Sequence, residues 1–142
     1  MKDNQHTLGF LLARASKAMS VHLNKLLQEE GIDLPHSQYV VLRLLYLEDG
    51  ISQQELAERA FKDTAAVKRT LDILEGKGLI KRTPAPDNIK KNSVIITPAG
   101  QELMPRVMSY LESSKNSYLA GISDEEYNTV TRVLEKLYQN IS

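Results

Sequence analysis

The 142-residue chain predicts a mainly α fold with one small β-hairpin. Three observations carry that expectation. Apolar residues recur at spacings of three and four through both ends of the chain, helix-capping residues stand at the starts of those runs, and two short β-prone stretches flank a turn-rich loop in between.

The first helix is expected from Thr7 to Glu30, where Leu8, Leu11, Leu12, Ala15, Met19, Leu23, Leu26 and Leu27 form one stripe. Phe10 and Val21 fall off that stripe, which implies a second buried face, and Gly31 can stop the helix by turning left-handed. Pro35 suits the first turn of the next helix, near His36 to Glu48, because its missing amide hydrogen would have no intrahelical partner. That segment is almost continuously apolar, as expected for an element covered on several sides, and Gly50 ends it.

Ser52-Gln-Gln-Glu55 reads as a capping box, with the Ser52 hydroxyl accepting from the Glu55 amide and the carboxylate reaching back. It opens a helix of two to three turns packed through Leu56, Ala57 and Ala60. Phe61 and Lys62 make the turn, and Asp63 is placed to cap the next helix through the amide of Ala65 or Ala66. There Val67, Leu71 and Leu74 lie at i, i+4 and i+7 and must face the core, so Thr64, Ala65, Lys68, Arg69 and Asp72 share the outward side. Gly78 terminates the helix. Leu79 to Arg82 and Ser93 to Thr97 then read as a hairpin whose loop, rich in Pro, Asp, Asn and Lys, forms a mobile tip. Thr97 and Pro98 start a helix expected to run to Gly121 with Pro105 bending its early turns, and Ser123-Asp-Glu-Glu126 caps a last helix carrying Tyr127, Val130, Leu134, Leu137, Tyr138 and Ile141 on one side.

Composition narrows the function. Hydrophobic residues at 42% and charged residues at 25% match an ordinary soluble globular protein. No apolar run approaches the roughly 20 residues that span a bilayer, and the start is too polar for a secretory signal, so a cytoplasmic protein without a membrane partner is expected. The absence of cysteine excludes disulfides, thiolate metal sites and thiol redox switching. His6, His22 and His36 show no ligand spacing, so neither metal nor cofactor is expected. A nucleophile with its base, a Gly-rich phosphate loop and functionally spaced carboxylates are all missing from the pattern, and an enzyme is not expected.

Net charge is zero, but its distribution is uneven. Lys62 to Lys91 holds eight bases against four acids, +4, leaving 10 bases and 14 acids, −4, elsewhere. A positive segment on a negative scaffold fits an oriented phosphate contact. A short capped helix, a turn, a second helix with a small and basic outer face, and a basic hairpin together place a helix in the major groove of a duplex with a flanking ribbon on the backbone. Thr64, Ala65 and Ala66 are small enough to let the backbone approach base edges. Lys68 and Arg69 are candidates for guanine or phosphate, Arg69 for a bidentate bond because of its planar fork, with an ion pair to Asp72 or Glu75 as the other reading. Ser52 and Gln53 can donate to phosphate, or Ser52 can serve only as a cap, and Lys62 lies in the basic turn.

The order of elements resembles the MarR family of bacterial transcription regulators, winged helix-turn-helix proteins that work as homodimers. The resemblance covers nearly the whole chain: ISQQELAE opens the short helix, AAVKRTLDILEGKGLIKR runs into the hairpin, IIT closes it and PAG opens the following helix. It is sharpest at Leu74-Glu75-Gly76-Lys77-Gly78-Leu79-Ile80 and at Ile96-Thr97-Pro98-Ala99-Gly100. It implies an N-terminal dimerisation helix over 1–33, a winged helix-turn-helix lobe over 34–98 and C-terminal dimerisation helices over 99–142. It also implies that the helix from Thr64 to about Lys77 is the recognition helix and that the wing enters an adjacent minor groove. Family wings usually carry Asp-X-Arg; here Asn88 stands at the aspartate and Lys90 at the arginine, with Lys91 keeping positive charge beside it.

The resemblance further implies a repressor or activator on an imperfect palindrome, released by a small aromatic or anionic effector. Met19, His22, His36, Tyr39 and Arg43 on the first two helices are the candidate effector-lining residues. The rival reading is a winged-helix module that has lost DNA contact and binds protein, which the neutral overall charge and the altered wing keep open.

Overall fold

The computed structural model describes residues 5–60, 63–85 and 88–142, with side chains described outside 84–92. Its elements run α1 (Leu8–Glu29), α2 (His36–Leu47), β1 (Ile51–Ser52), α3 (Gln53–Arg59), α4 (Thr64–Gly76), β2 (Ile80–Ala85), β3 (Asn88–Ile96), α5 (Pro98–Ser113), α6 (Asn116–Leu119) and α7 (Asp124–Ile141). The chain is mainly helical with a small antiparallel sheet, and it divides into two compact units, Met1–Leu111 and Glu112–Ser142.

In the first unit the core gathers one face from each element. Leu27, Val41, Leu42, Leu45, Leu56, Val67, Leu71 and Leu74 are essentially sealed from solvent, and Met104 and Val107 bring α5 into the same cluster. Burying each such side chain contributes about 1.5–3 kcal/mol, so the periodic positions hold the lobe together. α1 joins only through its C-terminal half: Leu23 and Leu27 are buried, whereas Phe10 and Val21, expected on a second covered face, are exposed within the chain.

The sheet has order β1-β3-β2. β2 and β3 pair from Ile80↔Ile96 through Pro84↔Asn92, so the strands extend well beyond the β-prone ends, and a register shift falls between Pro84 and Ala85. Ladder bonds propagate through residues of low strand preference, and Pro84, which has no N–H, interrupts the regular pattern. The two strands thus take up most of the expected loop, and residues 86–87, where the mobile tip was expected, lie outside the described residues. β1 was not expected. Two residues, Ile51 and Ser52, pair with Val94 and Ser93, and Ser93 Oγ donates to the Gly50 carbonyl at 3.1 Å.

The long helix expected from Pro98 to Gly121 is divided. Past Ser113 the hydrogen bonds shift to the carbonyl three residues back, Ser117 N to Ser114 O at 3.0 Å, and Ser117 Oγ donates to the same oxygen at 2.7 Å. A Ser-Ser-Lys-Asn-Ser run whose hydroxyls compete for the backbone explains the break. In the second unit α7 opens with a complete capping box: Glu126 N donates to Ser123 Oγ at 3.1 Å and Ser123 N to Glu126 Oε1 at 3.0 Å. No residue of α7 is buried, and Tyr127, Val130, Val133, Leu134, Tyr138 and Ile141 are all exposed. Among the described residues, no helix is long and apolar enough to cross a membrane.

Candidate nucleic-acid interface

α4 is positioned at both ends by its own sequence. Asp63 is extended and its carboxylate accepts from the Ala66 amide at 2.7 Å, satisfying one of the free N–H groups of the first turn. At the other end Gly78 takes φ +74°, Gly78 N donates to Glu75 O, and Leu79 N donates to Leu74 O at 3.0 Å, a closure that needs a residue tolerant of left-handed backbone. Between these caps Val67, Leu71 and Leu74 have no solvent exposure. Helical geometry then turns Thr64, Ala65, Lys68, Arg69 and Asp72 outward, and all five are exposed, with Ala66 half-buried at the edge.

Ser52, half-buried, accepts from Glu55 N at 3.1 Å and caps α3, and Gln53 beside it is half-buried. The reciprocal half of the expected capping box is not made. The Glu55 carboxylate pairs with Arg59 at 2.7 Å instead, and Arg59 also bonds Glu48. A charge-assisted bond to a cation one turn along outcompetes the weaker return bond to a backbone N–H.

The electrostatics differ from a simple basic patch. Arg82, at the base of β2, reaches back to α4: one guanidinium nitrogen lies 2.6 Å from Asp72 Oδ1 and 2.8 Å from Glu75 Oε1, and the Arg82 amide donates to Glu75 Oε2 at 3.1 Å. The Arg82 side-chain bonds, then its backbone N–H, hold the Glu75 carboxyl below its ordinary range, and the side-chain bonds to Glu75 and then Asp72 raise Arg82 further. Asp72 and Glu75, the two acids within reach of Arg69 along the helix, are thus taken by Arg82. Among the described residues neither Lys68 nor Arg69 makes an ion pair, so the exposed face of α4 presents two uncommitted cations. Sequence reasoning counted Arg82 as part of the phosphate-facing charge. Asp72 and Glu75 three residues apart on α4, opposite a strand that folds straight back, were the signal for its pairing.

Lys62 lies outside the described residues, as do the side chains of Asn88, Lys90 and Lys91; the backbone of these three belongs to β3. Of the effector candidates, Met19 and Arg43 are exposed, His22 is half-buried, and His36 stacks on Tyr39 with centroids 6.1 Å apart. A cavity of about 490 Å³ is lined by Asn24, Leu27, Gln28 and the linker from Gly31 to Pro35; none of the five candidates is among these residues. Among the described residues no group of three or more His, Asp or Glu side chains gathers as a metal site.

The sequence signature of the MarR family matches residues 34–91. The chain is 29% identical over 141 residues to the HTH-type transcriptional regulator YybA of Bacillus subtilis, covering 99% of this chain and 90% of that protein. It is 28% identical over 130 residues to the HTH-type transcriptional repressor Rv2887 of Mycobacterium tuberculosis, covering 92% of each. Its fold matches the S. aureus MepR–DNA complex with a TM-score of 0.84 and 23% identity, over 97% of this chain and all of that one.

Proposed function

Because the chain belongs to the MarR family of transcriptional regulators, we propose that it binds double-stranded DNA as a homodimeric repressor of a pseudo-palindromic operator and is released by a small effector. The observation that carries the reading is the outer face of α4. Small residues at its leading end, Thr64 and Ala65, are followed by exposed Lys68 and Arg69, whose competing acids are occupied by Arg82. A helix so furnished admits close approach to base edges and supplies cations to guanine or phosphate. Ser52, Gln53, Lys62, Asn88, Lys90 and Lys91 are the flanking contacts of this reading. The protein acts by binding and is not an enzyme, in keeping with relatives named as regulators.

The homodimer is supported by α7, whose exposed apolar side would be covered by a second copy. In a two-fold dimer the recognition helices sit about 34–36 Å apart, one DNA turn, hence the palindrome. Repression is supported by the name of the Rv2887 relative. Met19, His22, His36, Tyr39 and Arg43 remain the proposed effector contacts.

In vitro selection from random duplexes, followed by anisotropy titration of the selected and a random duplex at several salt concentrations, tests the reading. Enrichment of a palindrome, with steep salt dependence on both duplexes, is expected. No salt-sensitive affinity for either duplex would leave the fold as a protein-binding module.

A further inference from the structure

Among the described residues one polar side chain is buried: Gln38, in the first turn of α2. Its Oε1 accepts from Lys77 Nζ at 2.8 Å. The same ammonium donates to the Asp33 carbonyl at 2.9 Å and lies 3.4 Å from the Asp33 carboxylate, so its three protons have three acceptors on two neighbouring segments. The Lys77 side chain is only 24% exposed. It is the C-cap residue of α4, where a cation also meets the negative end of the helix.

These bonds join the trailing end of α4 to the corner between α1 and α2. Asp33 belongs to the linker that lines the cavity of about 490 Å³, and Asn24, on another wall, holds the start of α2 by accepting from the His36 amide at 2.6 Å. A helix bound at its far end by hydrogen bonds has its axis fixed more tightly than one held by nondirectional apolar contacts alone. We propose that Lys77 is a positioning residue: with Gln38 and Asp33 it fixes the tilt of α4 on the α1–α2 corner, so that preference for the operator over random DNA depends on a lysine that does not touch DNA. The proposal rests on the DNA-binding reading above and assigns to the linker beside the cavity the place where that tilt is set.

The test uses the full chain with Lys77→Met, which keeps the aliphatic stem, and Gln38→Leu, which removes the acceptor without changing charge. Circular dichroism and thermal melts confirm folding; hydrogen exchange follows amides of 31–34 and 73–78; and affinities for the selected and random duplexes are measured across salt. Both variants are expected to lose about tenfold in operator preference. Random-duplex affinity and its salt slope stay at wild-type values, while the two amide segments exchange faster. A slope reduced in Lys77→Met with Gln38→Leu unaffected would make Lys77 a phosphate contact and overturn the proposal. Unchanged preference in both variants also overturns it. Should Gln38→Leu fail to fold, Asp33→Asn, at an exposed carboxylate, must reproduce a smaller loss of the same kind. If wild-type protein selects no operator, the DNA reading fails on its own; unchanged amide exchange in Lys77→Met then separately decides against the latch.

Discussion

Gly100, in the first turn of α5, is the glycine with the least room for a side chain. A Cβ built there would lie 2.5 Å from the Leu79 carbonyl oxygen and 2.6 Å from Ile96 Cγ1, far inside van der Waals contact. Ile96 can swing only within a packed core, and the Leu79 carbonyl is main chain, held because it accepts from Thr97 N at 3.0 Å. Gly100→Ala must therefore push α5 off the base of the hairpin. Forced displacement of this kind costs about 1–3 kcal/mol, and the weakened Thr97 bond about 1 more. Alanine's better helix propensity returns about 1 kcal/mol, which leaves a net loss of about 1–3 kcal/mol. With a urea slope of about 2 kcal/mol/M, the midpoint falls by roughly 0.5–1.5 M at fixed protein concentration. Gly76→Ala is the control: nothing lies within 4 Å of its Cβ and its φ is helical, so the same exchange should be neutral or stabilising by up to about 1 kcal/mol. Gly100→Ala unfolding at the wild-type midpoint or above would refute the steric reasoning.

Other expectations are open to direct measurement. Glu75 is held below its ordinary value by Arg82, so its contribution is present above the unfolded carboxylate range and is lost as pH falls through the lowered value. The stability gap between wild type and Glu75→Gln should thus be constant near about pH 7 and close below about pH 4; a gap that persists in acid counts against the pairing. Ser123→Ala removes the cap of α7 and should cost about 1 kcal/mol. Proton titration of Glu126, lowered by the Ser123 amide, should move back towards the ordinary value in a variant that loses this geometry. Val130→Asp, on the exposed apolar side of α7, should shift sedimentation from dimer to monomer, and an unchanged dimer would place the contact elsewhere. Arg69→Ala should cost about 1–3 kcal/mol of operator affinity and relax one base position, whereas Lys90→Ala should weaken all duplexes and lower the salt slope by about one unit; unaltered affinity in both would displace the proposed interface.

The parts of this fold legible in the sequence are those governed by neighbours within a few positions. Asp63 and Ser123 cap the helices they precede, and the buried trio on α4 follows from helical period alone. What escaped depends on partners distant along the chain. Pairing of Ile51 with Val94 has no local signature, since two residues are too few to show alternation. Arg82 looked like one more cation because its destination, Asp72 and Glu75, is set by how the strand returns over the helix. The interruption after Ser113 was missed for another reason: apolar spacing continues across it, while serine hydroxyls locally rearrange the hydrogen bonds. For the outer face of α4, period predicted exposure but not which cations would stay unpaired.

Ser52 closes the two-residue strand β1 and also caps α3, so one residue serves as both the hem of the sheet and the doorpost of the helix-turn-helix. Rotating the hairpin by any sizeable angle must pull on the Ser93 rung and hence on the entry to α3. The hairpin and the helices therefore travel as one piece. Adjusting the protein to a duplex of different groove spacing has to come from elsewhere in the molecule, and substitutions at Ser52 will disturb two elements at once.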